Sequence, residues 1–160
     1  MRDTTAALAA ASAVTAAALI GARSGPTPSH PATAAWYARL RKPSFTPPGP
    51  VFGAAWGALD ILLGYSGYRL MRSPPRPART VALGAWAATL LGVGGFSCVL
   101  FGRKRTDEAL GVNAAMVGTS VALVASAAEA DPPAALAVLP LAAWVIFACV
   151  LQEEVWRRNR

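Results

Sequence analysis

Five apolar runs occupy most of this sequence, and each is about as long as a helix that crosses a lipid bilayer. They cover residues 4–22, 50–71, 79–101, 106–128 and 133–158. Charged or proline-rich segments separate the runs, and a helix does not continue through a cluster such as Pro74, Pro75 and Pro77. The pattern predicts a single all-α membrane domain over residues 1–160, built as a bundle of transmembrane helices.

The composition agrees with a membrane protein, since 54% of the residues are hydrophobic and only 14% are charged. The net charge of +7 could indicate nucleic-acid binding, but the basic residues stand in short clusters between apolar runs. Basic loops beside membrane helices explain this charge better. Cys98 and Cys149 lie in different apolar runs, and His30 is the only histidine. We therefore expect neither a nucleic-acid partner nor a metal site.

Lysine and arginine are unevenly divided between the two ends of the predicted bundle. Ten of them lie in residues 23–49, in residues 103–105 and at the C-terminus, whereas five lie at the N-terminus or between residues 69 and 79. The positive-inside rule assigns the more basic end to the cytoplasm. The predicted topology has the N-terminus outside, with residues 23–49 and the C-terminus in the cytoplasm.

The stretch from Trp36 to Asp60 carries the most specific motif of the chain. It contains Trp36-Tyr37, Leu40, Lys42-Pro43, Pro47-Pro48, Val51-Phe52, Trp56 and Leu59. This order resembles the signature of the TspO/MBR family, the tryptophan-rich sensory proteins and translocator proteins, also called peripheral benzodiazepine receptors. Pro50 and Asp60 stand where that signature has a tryptophan and a tyrosine.

The last apolar run, residues 133–158, also resembles this family. The matching positions are Pro140, Trp144, Phe147, Leu151, Val155, Trp156 and Asn159. The third run departs further from the family pattern, so the chain is identified as a divergent member. The resemblance implies a five-helix bundle of the TspO type, which favours a retained helix at residues 4–22. The alternative is that this alanine-rich run behind Arg2 is a signal peptide or targeting segment.

The sequence offers no set of residues typical of a catalytic centre, whether nucleophilic, metal-dependent or phosphate-binding. What remains is a set of tryptophans and one acid within the apolar runs. Trp56 lies roughly 10 Å and Asp60 roughly 15 Å from the start of the second run, and Trp144 lies roughly 20 Å from the cytoplasmic end of the last. A flat aromatic ligand could touch all three. Packing between helices is the alternative role for both tryptophans.

Asp60 is the one acid that the sequence places near the centre of the bilayer. A carboxylate there costs several kcal/mol unless it is paired, hydrated or neutral. We therefore expect Asp60 to face a cavity. The alternative is a hydrogen bond from Asp60 to a neighbouring helix.

The family resemblance implies a porphyrin or haem, or another planar hydrophobic molecule, bound as a ligand rather than as a cofactor. It also implies that residues 23–49 form a conserved loop with Trp36 in its lid. The residues expected to bind the ligand are Trp36, Pro47, Phe52, Trp56, Asp60, Trp144, Phe147 and Ala148. A sterol ligand is less well supported, because Glu153 replaces the tyrosine of a proposed cholesterol motif.

These residues lead to a predicted role as a tetrapyrrole-binding sensor, regulator or transporter. One alternative is light- and oxygen-dependent degradation of porphyrin by the indoles of Trp56 and Trp144, and another is a scaffold that has lost ligand binding. Besides membrane lipid, a second copy of the chain is the expected protein partner. Gly84, Ala88 and Gly92 recur every fourth residue and form a smooth stripe, and the resemblance implies a homodimer through this helix.

Overall fold

The computed structural model describes residues 3–160, and these residues form six α-helices joined by short segments. A short π-helical turn, Cys98–Gly102, continues the fourth helix, and no strand occurs within the described range. The helices are α1 Asp3–Ala22, α2 Pro31–Arg39, α3 Gly49–Arg72, α4 Pro77–Ser97, α5 Thr106–Ala130 and α6 Pro132–Arg158.

Proline marks the start of three of the long helices. α3 begins at Gly49 directly after Pro47-Pro48, one residue before the predicted run 50–71, and α4 and α6 each begin on a proline. Proline suits the first helical position because its missing N–H has no intrahelical partner there. The carboxylate of Asp131 also accepts a hydrogen bond from the backbone N–H of Ala134 at 3.0 Å, which caps the start of α6.

The helix α2 corrects the prediction that residues 23–49 form a loop throughout. Pro31 occupies its first turn, and Ala32, Ala34 and Ala35 favour helix more strongly than other residue types do. The helix ends at Arg39, because the approach to Pro43 requires extended backbone. The segment therefore carries a short helix with extended chain on its C-terminal side.

The prediction of an all-α membrane protein is confirmed, and four helices of residues 3–160 are long and apolar enough to cross a membrane. These are α1, α4 with its π-helical turn, α5 and α6. α3 has 24 residues, which is long enough, but it also contains Asp60 and two arginines in its last turn. Its passage through the membrane, and hence the fifth span, stays a prediction.

The five long helices form a closed ring in which α1 packs against α3 and α4. α6 then packs against α3 and α5, and α5 packs against α4. At one end of the ring, Arg41 and Asn159 exchange two hydrogen bonds of 2.9 and 3.0 Å. At the opposite end, Arg72 pairs with Asp3 at 2.8 Å. The segment between α1 and α3, the π-helical turn and the C-terminus therefore share one end.

Trp86 is the largest side chain at the contact between α3 and α4. It is buried, and its indole N–H donates to the backbone oxygen of Leu63 at 2.9 Å. Gly67 lies directly under the ring, because a Cβ atom there would come within 2.5 Å of two ring carbons. Trp86 is thus a packing residue of the core.

Candidate ligand-binding site

A cavity of about 700 Å³ lies inside the ring of helices, towards the end that carries α2 and the C-terminus. All five long helices contribute to its wall, and Tyr37, Lys42, Thr46 and Pro47 contribute from the segment between α1 and α3. Its lining is mainly apolar, with a few polar side chains. Ligand sites of proteins have this size and character.

Five of the eight residues expected to bind a ligand line this cavity. Phe52, Trp56 and Asp60 are spaced four residues apart on α3 and so project from one face of the helix. Pro47 contributes from the segment before α3, and Ala148 contributes from α6. The structure brings these five side chains to one cavity, and their role in binding stays a prediction.

The other three expected residues, Trp36, Trp144 and Phe147, are not among the residues of the cavity wall. The ring of Trp144 packs edge to face against Phe52, with the centroids 5.6 Å apart. It is tilted against the ring of Phe147, with the centroids 5.5 Å apart. Phe147 in turn contacts Phe45 at 6.3 Å. Trp144 and Phe147 therefore form a second aromatic layer behind Phe52.

At the mouth of the cavity, the residue next to Trp36 takes the position expected for the lid. Tyr37 lines the cavity, packs edge to face on Phe101 at 5.4 Å, and has the ammonium of Lys42 above its ring at 4.4 Å. Burial raises the pKa of the Tyr37 phenol, so this hydroxyl stays neutral near pH 7. The mouth thus carries a neutral hydroxyl and a cation side by side.

Asp60 lies where the main cavity meets a second space. It also lines a groove of about 640 Å³ between α1 and α3, together with Thr15, Tyr65 and Tyr68. Within the part of the chain that the structure describes, no lysine or arginine lies within ion-pair distance of Asp60. The position of Asp60 between these two spaces agrees with the expectation that it faces a cavity.

Two polar residues of the cavity wall, Asn113 and Gln152, were missed by the sequence interpretation. Asn113 on α5 is only 1% exposed, and Gln152 on α6 is 4% exposed and donates its amide N–H to the backbone oxygen of Thr106 at 2.9 Å. A signal for Asn113 existed, because a lone amide in an apolar run commonly faces the interior of a bundle.

Residues 3–160 contain no group of three or more histidine, cysteine, aspartate or glutamate side chains that could hold a metal ion. Cys98 and Cys149 are free thiols on different helices. The groups that the cavity offers are therefore aromatic rings, amides, hydroxyls, a carboxylate and a lysine. They suit the binding of a mainly apolar ligand with a few polar atoms.

The stripe expected to form a dimer is divided between two environments. A Cβ atom at Gly84 would meet nothing within 4 Å, whereas one at Gly92 would lie 3.0 Å from the sulfur of Met116 on α5. Ala88, between them, is half-buried. Gly92 therefore serves close packing within the protomer, and Gly84 is available to a partner.

Comparison with known proteins agrees with the motifs. The model of the TspO/MBR family matches residues 10–157. The translocator protein of Bos taurus is 31% identical over 128 residues, which cover 78% of this chain and 75% of that protein. Protein CrtK of Rhodobacter capsulatus is 29% identical over 78% of this chain and 79% of its own length. The tryptophan-rich protein TspO of Archaeoglobus fulgidus is 30% identical over 78% of this chain and 80% of its own length.

Proposed function

The chain belongs to the TspO/MBR family, and on that premise we propose that it binds a tetrapyrrole, either a porphyrin or a haem, inside its helical bundle. The observation that carries the proposal is the cavity of about 700 Å³ with Phe52 and Trp56 in its wall. Ligand pockets commonly measure about 300–1,000 Å³ and are lined mainly by apolar and aromatic side chains. A bound tetrapyrrole would make the protein a sensor, regulator or transporter of that ligand.

The aromatic residues of α3 supply the surface that a flat macrocycle needs. Trp56 is half-buried at the wall, and Phe52 is supported from behind by Trp144. Stacking on an aromatic ring adds about 0.5–1.5 kcal/mol beyond the burial of area. A rigid two-layer wall of this kind favours a planar ligand over a flexible chain.

The polar groups at the mouth suit the acidic side chains that natural porphyrins carry. Lys42 lines the cavity at this end, and its ammonium stands 4.4 Å from the Tyr37 ring centroid. A carboxylate of the ligand could pair with Lys42 while the macrocycle occupies the apolar interior. The ligand would then sit with its acidic edge towards α2.

Titration with protoporphyrin tests the proposal. Purified protein in detergent should shift the Soret absorbance of the porphyrin and quench the tryptophan fluorescence with the same saturable dependence on concentration. Trp56→Phe should weaken this binding, and Trp156→Phe is the control, since Trp156 is not part of the cavity wall. A linear, non-saturating response would reject tetrapyrrole binding and leave the scaffold hypothesis.

Light-dependent breakdown of porphyrin is the second candidate function. Trp56 at the wall favours it, because its indole borders the space that a macrocycle would fill, and Trp144 lies one aromatic layer behind Phe52. Illumination of the complex in air, followed by chromatography of the pigment, distinguishes a degrader from a binder. Loss of porphyrin at the same rate in Trp56→Phe as in the wild type would exclude a degrading role for that indole.

The same family membership supports five spans, with α3 crossing the membrane between α1 and α6. Ten of the 15 lysines and arginines lie at the end of the bundle that the positive-inside rule assigns to the cytoplasm. The N-terminus would then lie outside, and the mouth of the cavity would open towards the cytoplasm.

A further inference from the structure

One buried side chain of the cavity wall has polar atoms that the protein itself does not satisfy. Asn113 lines the cavity and is 1% exposed, yet neither its Oδ1 nor its Nδ2 has a hydrogen-bond partner among the residues described. Leaving a buried polar group without a hydrogen bond is unfavourable for folding. A buried polar group without a partner therefore needs an explanation, and a bound ligand could supply the missing hydrogen bonds.

Gln152 and Thr89 are also buried polar side chains, but unlike Asn113 they have hydrogen-bond partners within the fold. Gln152 donates to the backbone oxygen of Thr106, and Thr89 donates to that of Ala85 at 2.9 Å. The Ser66 hydroxyl and the Trp144 indole N–H also lack partners, but neither residue is part of the cavity wall. Among residues 3–160, Asn113 alone combines an unpartnered amide with a position in that wall.

The depth of Asn113 matches that of the aromatic wall. Asn113 is seven residues from the start of α5, and Trp56 is seven residues from the start of α3. Both helices begin at the end of the bundle that carries the mouth of the cavity, so both side chains lie roughly 10 Å from that end. A flat ligand stacked on Trp56 would therefore bring its edge to the level of Asn113.

We propose that Asn113 recognises a neutral lactam or amide edge, an N–H beside a C=O, on the ligand held in this cavity. A carboxamide offers one acceptor and a donor side by side, so it pairs with a cis amide through two hydrogen bonds. It carries no charge and therefore does not select an ionised group. The proposal rests on the cavity being a ligand site, as in the proposed function, but it adds a polar specificity that a porphyrin ring does not require.

Two tricyclic probes of the same shape test this recognition. Phenanthridinone carries the lactam N–H and C=O, and benzochromenone is its lactone isostere, with oxygen in place of N–H. Wild-type protein should bind the lactam about fivefold more tightly than the lactone after correction for detergent partition, because one hydrogen bond near 1 kcal/mol is worth about this factor. Asn113→Leu keeps the side-chain volume and should abolish the preference.

Ser66→Ala is the matched control, since it removes an unpartnered buried hydroxyl away from the cavity. This variant should keep the wild-type ratio of the two affinities, and the ratio cancels any difference in partition between protein samples. An Asn113→Leu protein that still prefers the lactam, or a wild type with no preference, would overturn the proposal.

Infrared spectroscopy of the wild type gives a second test that does not depend on how the variant folds. The isotope-labelled carbonyl of bound phenanthridinone should absorb at a lower frequency than it does in an apolar solvent, and an unshifted band would also overturn the proposal.

Protoporphyrin titration separates the role of Asn113 from the tetrapyrrole function. A protein that discriminates the probes but does not bind protoporphyrin refutes the tetrapyrrole function alone. One that binds protoporphyrin without discriminating the probes refutes the role of Asn113 alone.

Discussion

At the scale of single residues, three tryptophans of this protein occupy different environments and have different tasks. Trp56 lines the cavity, Trp144 supports Phe52 from behind, and Trp86 fills the contact between α3 and α4. A bound ring would therefore touch Trp56 directly and would sense Trp144 only through Phe52. Substitutions at these positions should have effects of different size.

Trp56→Phe should weaken protoporphyrin binding by up to about tenfold, because a smaller ring loses part of the stacking surface. Trp144→Phe should have a smaller effect, since it changes only the support of Phe52. The Soret absorbance of the porphyrin measures both without relying on tryptophan emission. An equal loss in the two variants would mean that Trp144 also contacts the ligand.

Asp131 joins the ends of three helices on the side away from the cavity mouth. Its carboxylate accepts two hydrogen bonds from Arg69 at 3.1 Å, one from the Ser73 hydroxyl at 3.1 Å and one from the N–H of Ala134 at 3.0 Å. Burial alone would raise the pKa of Asp131, but these bonds, led by that from Arg69, hold it below its usual value. The folded protein therefore stabilises the ionised carboxylate of Asp131 relative to the unfolded chain.

Because the folded-state pKa of Asp131 is lowered, its contribution to stability is complete above the ordinary carboxyl pKa of about 4 and is lost as pH falls through the folded value. Asp131→Asn should lower the free energy of unfolding by about 1–2 kcal/mol at pH 7 and reduce the loss of stability on acidification. Thermal unfolding in detergent between pH 7 and pH 3 measures this difference. Parallel curves for the two proteins would contradict it.

At the scale of helices, the sequence predicted the starts of α3, α4 and α6 well, because proline acts locally on its own φ and on its predecessor. It missed α2, since a nine-residue helix depends on its end positions and its contacts rather than on a long apolar pattern. Phe52, Trp56 and Asp60 line one cavity, because their spacing of four residues alone puts them on one face of α3.

The site was predicted less completely where it depends on how helices are rotated against each other. Trp144 and Ala148 are four residues apart on α6, yet only Ala148 reaches the cavity wall, because Phe52 of α3 packs against the tryptophan ring. No spacing within one helix contains that information. The same applies to Gly92, which faces Met116 of α5 rather than the outside.

The contact between α3 and α4 yields a prediction about packing. Gly67→Ala should destabilise the protein by about 1–3 kcal/mol, because its Cβ would stand 2.5 Å from the ring carbons of Trp86 and the indole is held by Leu63. Gly57→Ala on the same helix is the control, since nothing lies within 4 Å of a Cβ there. Thermal unfolding compares the two, and adding Trp86→Phe to Gly67→Ala should recover part of the loss. Equal stability of the two single variants would refute the close contact.

At the scale of the whole molecule, α4 offers an outward surface for a second copy. Gly84 is exposed with open space around it, Ala88 is half-buried, and Leu91 is 77% exposed. In a bilayer, helices associate where small residues let backbones approach. The predicted homodimer would use the Gly84 and Ala88 part of the stripe, because Gly92 is already packed against Met116.

Gly84→Leu and Ala88→Leu should each convert this dimer into a monomer in detergent, as measured by light scattering with correction for bound detergent. Ala114→Leu on the exposed face of α5 is the control and should leave the mass unchanged. A dimer that survives both α4 substitutions would place the interface elsewhere. A monomeric wild type would exclude the homodimer under those conditions.

The two ends of the bundle differ in charge, and this difference leads to a prediction about how the chain crosses the membrane. Ser29 is exposed in the segment between α1 and α2, at the end that carries ten of the 15 basic residues, and Pro75 is exposed at the opposite end, between α3 and α4. If the positive-inside rule holds and α3 spans the bilayer, residue 29 lies in the cytoplasm and residue 75 outside.

Single cysteines introduced as Ser29→Cys and Pro75→Cys, in a protein with both native cysteines changed to serine, test this topology in intact cells. A membrane-impermeant thiol reagent should label position 75 directly and position 29 only after the membrane is opened. Labelling of both positions before opening would mean that α3 does not cross, because the two sites would share one side. Labelling of position 29 alone would keep the crossing of α3 but reverse the orientation, so the charge difference would not set which end faces the cytoplasm.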